Sequence, residues 1–363
     1  MSPLNLTSIR YTPLNHDSPR ILQRLMNHKK VVLLVMLLSL LTLFAPVDWN
    51  IHLPSLKRYD EHKNIRPYPT GIEIPRLEYE DLVYQGSFHP LSPVVIEEYN
   101  LVFFLAAKAA SSEWIRFFMR LEDNPEWCEK GCIHDASQNG LTYLNDYPLE
   151  QAEEMMTSPK WTRAIFLRHP KPRLLSAFLD KAVGHKRKFD EEFCQKYIEK
   201  GEDYYTLEGC REHRLEFDFF LRNITTTLPN NVHWSPVSNR MDDKWWPFVN
   251  YIATMEDLAE DAEHFLQNLI SNVDGMTAWD RVGKTGWGDN ERDCDHLGTD
   301  PFLGKKDTKH KTNAKSKMLQ YYTPELENFV EEGDFKKDLN NEYFSFTPFN
   351  LFPETSKEGS DYR

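Results

Sequence analysis

The chain has 363 residues, 40% of them hydrophobic and 13% aromatic, with 22 Phe, 16 Tyr and 9 Trp. That excludes a wholly disordered protein and leaves room for one large folded domain once the N-terminal segments are set aside. The formal charge is −13, from 43 Lys and Arg against 56 Asp and Glu, so no nucleic-acid partner is expected and an anionic ligand must be met by a local basic site.

The first predicted element is a membrane anchor. Val31 to Val47 is an uncharged apolar run near the minimum of about 17 to 20 residues that crosses a bilayer as a helix. A cleaved signal peptide is the rival, but the region before the run is too long and no small-x-small cleavage site follows it. Arg20, Arg24, Lys29 and Lys30 precede the run, and this positive excess predicts a cytoplasmic N-terminus. The resulting layout is a cytoplasmic tail at 1–30, a signal anchor at 31–47, a lumenal stem at 48–95, a folded domain at 96–350 and a C-terminal tail at 351–363. Pro54, Pro67, Pro69, Pro75, Pro90 and Pro93 suit an extended stem. All five cysteines follow the anchor, where disulfides persist; proximity suggests Cys128 with Cys132 and Cys194 with Cys210, leaving Cys294 over. A zinc site at Cys128, Cys132 and His134 lacks a second ligand pair, and no metal is expected. Asn223-Ile-Thr225 is a glycosylation sequon on the lumenal side.

Within the folded domain, Leu101 to Ala106 reads as a buried strand, followed by a helix over Glu113 to Leu121 with Ser111 and Ser112 as N-caps. A second strand, Ala164 to Leu167, leads through Arg168-His169-Pro170 into a helix starting near Lys171 or Pro172, where an early proline is expected. Phe248 to Thr254 and Asp257 to Leu269 form a third strand and helix. Three such units predict an α/β domain around a parallel sheet. Gly275 to Lys317 is polar and long for a simple connection, which marks a functional loop or an insertion. Two look-alikes in it are read as chance. Gly283-Lys284-Thr285 lacks the earlier glycine of a nucleotide loop, holding Ala278 there, and Asp293-Cys-Asp295 does not close an apolar strand.

Two stretches carry chemistry. In Leu105-Ala-Ala-Lys-Ala-Ala-Ser-Ser-Glu-Trp-Ile-Arg116 a strand ends in small residues, one lysine and two hydroxyls before a helix. Free N–H groups at the helix start, close backbone approach and the charge of Lys108 suit an anion; the rival is a capped helix with a surface lysine. In Ile165 to Lys181, Arg168 leaves a strand where a guanidinium grips a phosphate bidentately, and Ser176 lies two turns along the helix that follows. Asp180 and Lys181 are read as an exposed ion-pair face. The short basic clusters, His185 to Lys188 and Lys305 to Lys317, are read as solvated surface.

Together the two stretches resemble a known family. Lys108 to Arg116 is similar to the 5′-phosphosulfate loop of Golgi carbohydrate sulfotransferases, and Arg168 to Lys181 resembles their 3′-phosphate motif. His233-Trp-Ser-Pro236, Tyr251 to Ala262, His310 to Ala314 and Tyr321 to Pro324 extend the likeness over residues 100 to 345, closest to the chondroitin and dermatan 4-O-sulfotransferase branch. Ala107, Ala109 and Ser112 stand where the family has Pro, Val and Thr, and these changes should loosen the loop.

The resemblance implies a three-layer, P-loop-NTPase-like sulfotransferase fold with a central parallel sheet behind one transmembrane helix. It implies 3′-phosphoadenylyl sulfate as donor. Lys108, Ala109, Ala110, Ser111, Ser112 and Trp114 would hold its 5′ end, and Arg168, Arg173 and Ser176 its 3′ phosphate. Lys108 would stabilise the leaving group and His134 or His233 would take the acceptor proton. The expected acceptor is a glycan or proteoglycan, the expected place the Golgi membrane as a single-pass type II protein, with a homodimer as the assembly to test for. A Golgi glycosyltransferase and a non-catalytic glycan-binding protein are the competing readings.

Overall fold

A computed structural model describes residues 64–82, 92–128, 133–199, 206–282 and 312–352, all within one compact unit that begins at Glu61. The anchor at 31–47, most of the stem, Cys132, Cys294 and most of the polar stretch lie outside the described residues. Among the described residues no helix is long and apolar enough to cross a membrane.

The principal elements are β1 (Val94–Ile96), β2 (Leu101–Phe104), α1 (Ser111–Leu121), β3 (Thr142–Tyr143), α2 (Leu149–Thr157), β4 (Thr162–Leu167), α3 (Pro170–Phe178), α4 (Leu207–His213), β5 (Tyr251–Thr254), α5 (Leu258–Asn268), α6 (Ala314–Tyr321) and α7 (Pro324–Glu332). The sheet runs β3-β1-β2-β4-β5. Its core is parallel, with Phe104 opposite Ile165 and Leu167 opposite Thr254. β1 and β3 are antiparallel additions, so the central parallel sheet expected from the sequence is extended at one edge into a mixed one. These two strands are too short to show a periodic signature, and β1 joins β2 through one short 3₁₀ turn, Glu97–Tyr99, rather than through a crossover α-helix.

Alternation along the strands feeds two cores. Phe103, Phe166 and Tyr251 face α1 and α5, where they meet Trp114, Phe118 and Phe265. Val102, Phe104, Ile165, Leu167 and Ile252 face the other side, against Met155 and Met156 of α2 and the Trp245–Trp246 pair. Helix, sheet and helix thus form the expected three layers. A third cluster is wholly helical, built on Leu174, Phe178, Phe193, Phe220, Trp234 and Met318. It contains the expected disulfide between Cys194 and Cys210, with Cα atoms 5.7 Å apart. Asn223 of the sequon lies in a helical turn there, within 3.5 Å of the Tyr197 hydroxyl.

α3 joins the sheet to this helical half. Pro170 occupies its first turn, and the His169 side chain caps it by accepting from the Lys171 amide. Lys171 is 1% exposed and its ammonium is met by Glu327 of α7, by Glu331 and by the Phe349 carbonyl. Glu327 also accepts from the amides of Leu351 and Phe352, stitching the last described residues onto α3.

Candidate active site

Because β2, β4 and β5 are parallel, their carboxyl ends share one edge of the sheet, where open α/β folds place ligands. The exit of β2 is the loop Leu105 to Ala110. Lys108 and Ala110 hold left-handed backbone, with φ of 65° and 59°, a conformation that costs about 1–2 kcal/mol for a residue bearing a Cβ. Alternating handedness turns successive N–H groups into one concavity, a form that binds anions. Ala110, not a serine, is the N-cap of α1, and it offers no side-chain hydrogen bond. The first-turn N–H groups therefore have no capping oxygen from that residue, and intrahelical acceptors are lacking there in any helix. The expectation of Ser111 and Ser112 as caps is corrected: both lie inside the helix.

The alanines do not leave this loop slack. Arg240 Nε donates to the Leu105 carbonyl at 2.7 Å, Arg173 Nε to that of Ala107 at 3.1 Å and Arg168 Nη1 to that of Lys108 at 3.2 Å. Ala109 is 1% exposed and packs its methyl into the core below. Arg173 further donates to Ser235 O at 2.7 Å and Val232 O at 3.0 Å, tying the loop to the segment that carries His233.

Lys108 Nζ lies 2.7 Å from Asp180 Oδ2. Asp180 is also approached by Lys181 Nζ at 3.3 Å and His185 Nε2 at 3.4 Å. Burial lowers the Lys108 pKa, and the Asp180 carboxylate opposes that. Burial disfavours the charge of Asp180, yet Lys108 and Lys181 outweigh it and hold the carboxyl far below its usual range. Asp180 is thus no exposed ion-pair residue. Asp180 follows α3 on the π-helical turn Leu179–Gly184 and meets Lys108 at the strand exits.

At the exit of β4, burial brings the Arg168 guanidinium down to about 10, with Glu256 raising it and Arg173 lowering it further, so it stays charged at neutral pH. Ser176 is 4% exposed and accepts a hydrogen bond from Thr312 Oγ1 at 3.1 Å, which brings the segment before α6 against α3. Ser112 Oγ is 2.9 Å from His134 Nε2. His233 is held well below the ordinary histidine range, by burial first and then by Lys181 and Lys108, with His134 adding a smaller push. It is neutral at pH 7. Its Nδ1 is buried and has no hydrogen-bond partner among the described residues.

The structure therefore brings Lys108, Ala110, Ser111, Ser112, Arg168, Ser176, His134 and His233 to one side of the sheet. Trp114 points the other way, fully buried 4.8 Å from the Phe103 ring and 4.7 Å from that of Phe166, and Arg173 spends its donors on carbonyls. Asp180, Arg240 and Thr312 are the neighbours that sequence reasoning did not assign to the site.

A model of the sulfotransferase family matches residues 93–275, a span that covers both loops. The chain belongs to the sulfotransferase family. Human carbohydrate sulfotransferase 9 is 27% identical to this sulfotransferase over 194 residues, 50% of this chain and 41% of that protein. The match thus spans about two fifths of the relative's length. No solved structure matches. The family implies 3′-phosphoadenylyl sulfate as sulfate donor, and the residues present suit it: a lysine and an arginine on touching loops, paired hydroxyls, and a helix start without a side-chain cap. Among the described residues no group of His, Cys, Asp and Glu is placed to hold a metal ion.

Proposed function

We propose that this sulfotransferase moves the sulfuryl group of 3′-phosphoadenylyl sulfate onto a hydroxyl of a glycan, with its folded domain in the Golgi lumen behind the 31–47 anchor. The observation that carries the reading is the contact of Arg168 with the Lys108 carbonyl, since one nucleotide with phosphate groups at both ends needs two cationic grips on adjoining loops. The word carbohydrate in the human relative's name favours a sugar acceptor. The Cys194–Cys210 bond suits an oxidising compartment.

Arg168 and Ser176 hold the 3′ phosphate, and Thr312 shares it through the hydroxyl that now meets Ser176. Lys108 and the first-turn N–H groups of α1 hold the phosphosulfate. The donor supplies an activated sulfur–oxygen bond; in-line transfer forms a bond from sulfur to the acceptor oxygen as the bond to the bridging oxygen breaks. Lys108 neutralises the charge that gathers on that leaving oxygen. His233, held neutral, takes the acceptor proton, while His134 orients Ser112. The test is full-length protein incubated with radiolabelled donor and a panel of glycans, alongside calorimetry with adenosine 3′,5′-bisphosphate. Label on a glycan is expected. Nucleotide binding without label on any glycan would favour the non-catalytic reading, and no binding would sink both.

A further inference from the structure

The family reading gives Lys108 a task once a donor is present but leaves its surroundings before that unexplained. The ammonium is only 16% exposed and lies among cations: Lys181 from the turn after α3 and Arg168 from the exit of β4. A cation so placed needs a counter-charge. Among the described residues its counter-charge is Asp180, at 2.7 Å, carried by the π-helical turn Leu179–Gly184. Asp180 is itself in contact with Lys181 and His185, so losing Lys108 would not strand its charge.

We propose that Asp180 is a positioning residue for sulfuryl transfer: it holds the Lys108 side chain at the mouth of the loop before the donor arrives, then yields it to the phosphosulfate and falls back on Lys181 and His185. The exchange is between anions at one ammonium. The incoming group carries more negative charge than a carboxylate, and the N-terminal end of α1 adds to its side. This inference rests on the function proposed above.

The ion pair and the transfer are tested separately. An amine is acylated only when unprotonated, so the rate at which an acetylating ester labels Lys108, read by peptide mass spectrometry, reports its charge without reference to activity. Replacing Asp180→Asn removes one opposite charge at contact, worth about 1 to 3 pH units. Labelling of Lys108 at pH 8 is expected to rise about tenfold or more, while Asp180→Glu stays near the parent. In the transfer assay, the alkaline limb of kcat/KM for the donor, which reports the free enzyme, should move down by about one unit, because less Lys108 stays protonated as pH rises. Affinity for adenosine 3′,5′-bisphosphate should stay within a few-fold. Asp180→Ser repeats both measurements should the amide variant fail to fold. Unchanged labelling in the uncharged variants overturns the proposal, as does an unmoved alkaline limb. Faster labelling in a protein whose parent transfers no sulfate would support the pairing and overturn the transfer reading instead.

Discussion

The exits of β2 and β4 lie side by side and each leads into a helix, yet the chain turns differently at the two. After β2 the turn is made of backbone: two left-handed residues, neither a glycine, and a helix cap with no side-chain oxygen. After β4 it is made of side chains: His169 caps, Pro170 presets the first turn and Arg168 supplies the charge. The strained exit survives because the other one, with Arg240, grips its carbonyls. The first loop can thus spend its amides on a ligand because arginines from elsewhere supply the rigidity that its own residues lack.

The difference can be broken from either side. The largest effect is expected from Lys108→Ala, which should lower kcat at least 100-fold, about 3 kcal/mol of transition-state stabilisation, with bisphosphate affinity falling by much less. Steady-state kinetics beside calorimetry would separate the two. Arg168→Ala should do the reverse in emphasis, weakening adenosine 3′,5′-bisphosphate by roughly 30-fold, the equivalent of about 2 kcal/mol for a charged hydrogen bond.

The side-chain exit should also be sensitive to acid. Burial, reinforced by Lys171, brings the pKa of His169 down to about 4, whereas in the unfolded chain it titrates near its ordinary value of about 6.5. Its contribution is complete above that value and is lost as pH falls toward about 4. The loss by pH 5 is on the order of 2 kcal/mol. Denaturant unfolding at pH 7 and pH 5 should show that slope, and His169→Asn, which keeps a capping acceptor but does not titrate, should flatten it. The smallest effect belongs to the strained exit: Ala110→Gly, which removes the Cβ at a positive φ, should raise stability by about 0.5 to 1 kcal/mol. A fall in stability would mean that the methyl contributes more by packing than it costs by strain.

Much of the sheet half was legible because strand and helix announce themselves by period. Leu101–Phe104, Thr162–Leu167 and Tyr251–Thr254 sit within or beside the predicted runs. β1 and β3 were not legible, being too short to alternate. The helical half was blurred for a different reason. Its aromatic residues, Phe178, Phe189, Phe193, Phe217 and Phe220 among them, occur in short helical turns, several of them π-helical, so no single period persists. At the site, the residue types of Lys108, Arg168 and Ser176 spoke for themselves. Asp180 did not, since a charge near a helix end reads as surface until the partner of its face is known. Thr312 meets Ser176 only through a contact across 136 positions of sequence, which no local pattern carries.

One contact in α3 also bears on the order in which the molecule can be assembled. Lys171, in the first turn of the helix that carries Ser176, finds its counter-charge in Glu327, 156 positions later, and a carbonyl at Phe349, 178 positions later. A buried ammonium without these partners is strongly unfavourable, so during synthesis the helix cannot settle into place until Glu327 and Phe349 have emerged. The placing of Arg168 and Ser176 on either side of Lys171 is therefore completed from far downstream, and a chain cut before Glu327 should lose the order of a segment more than a hundred and fifty residues upstream.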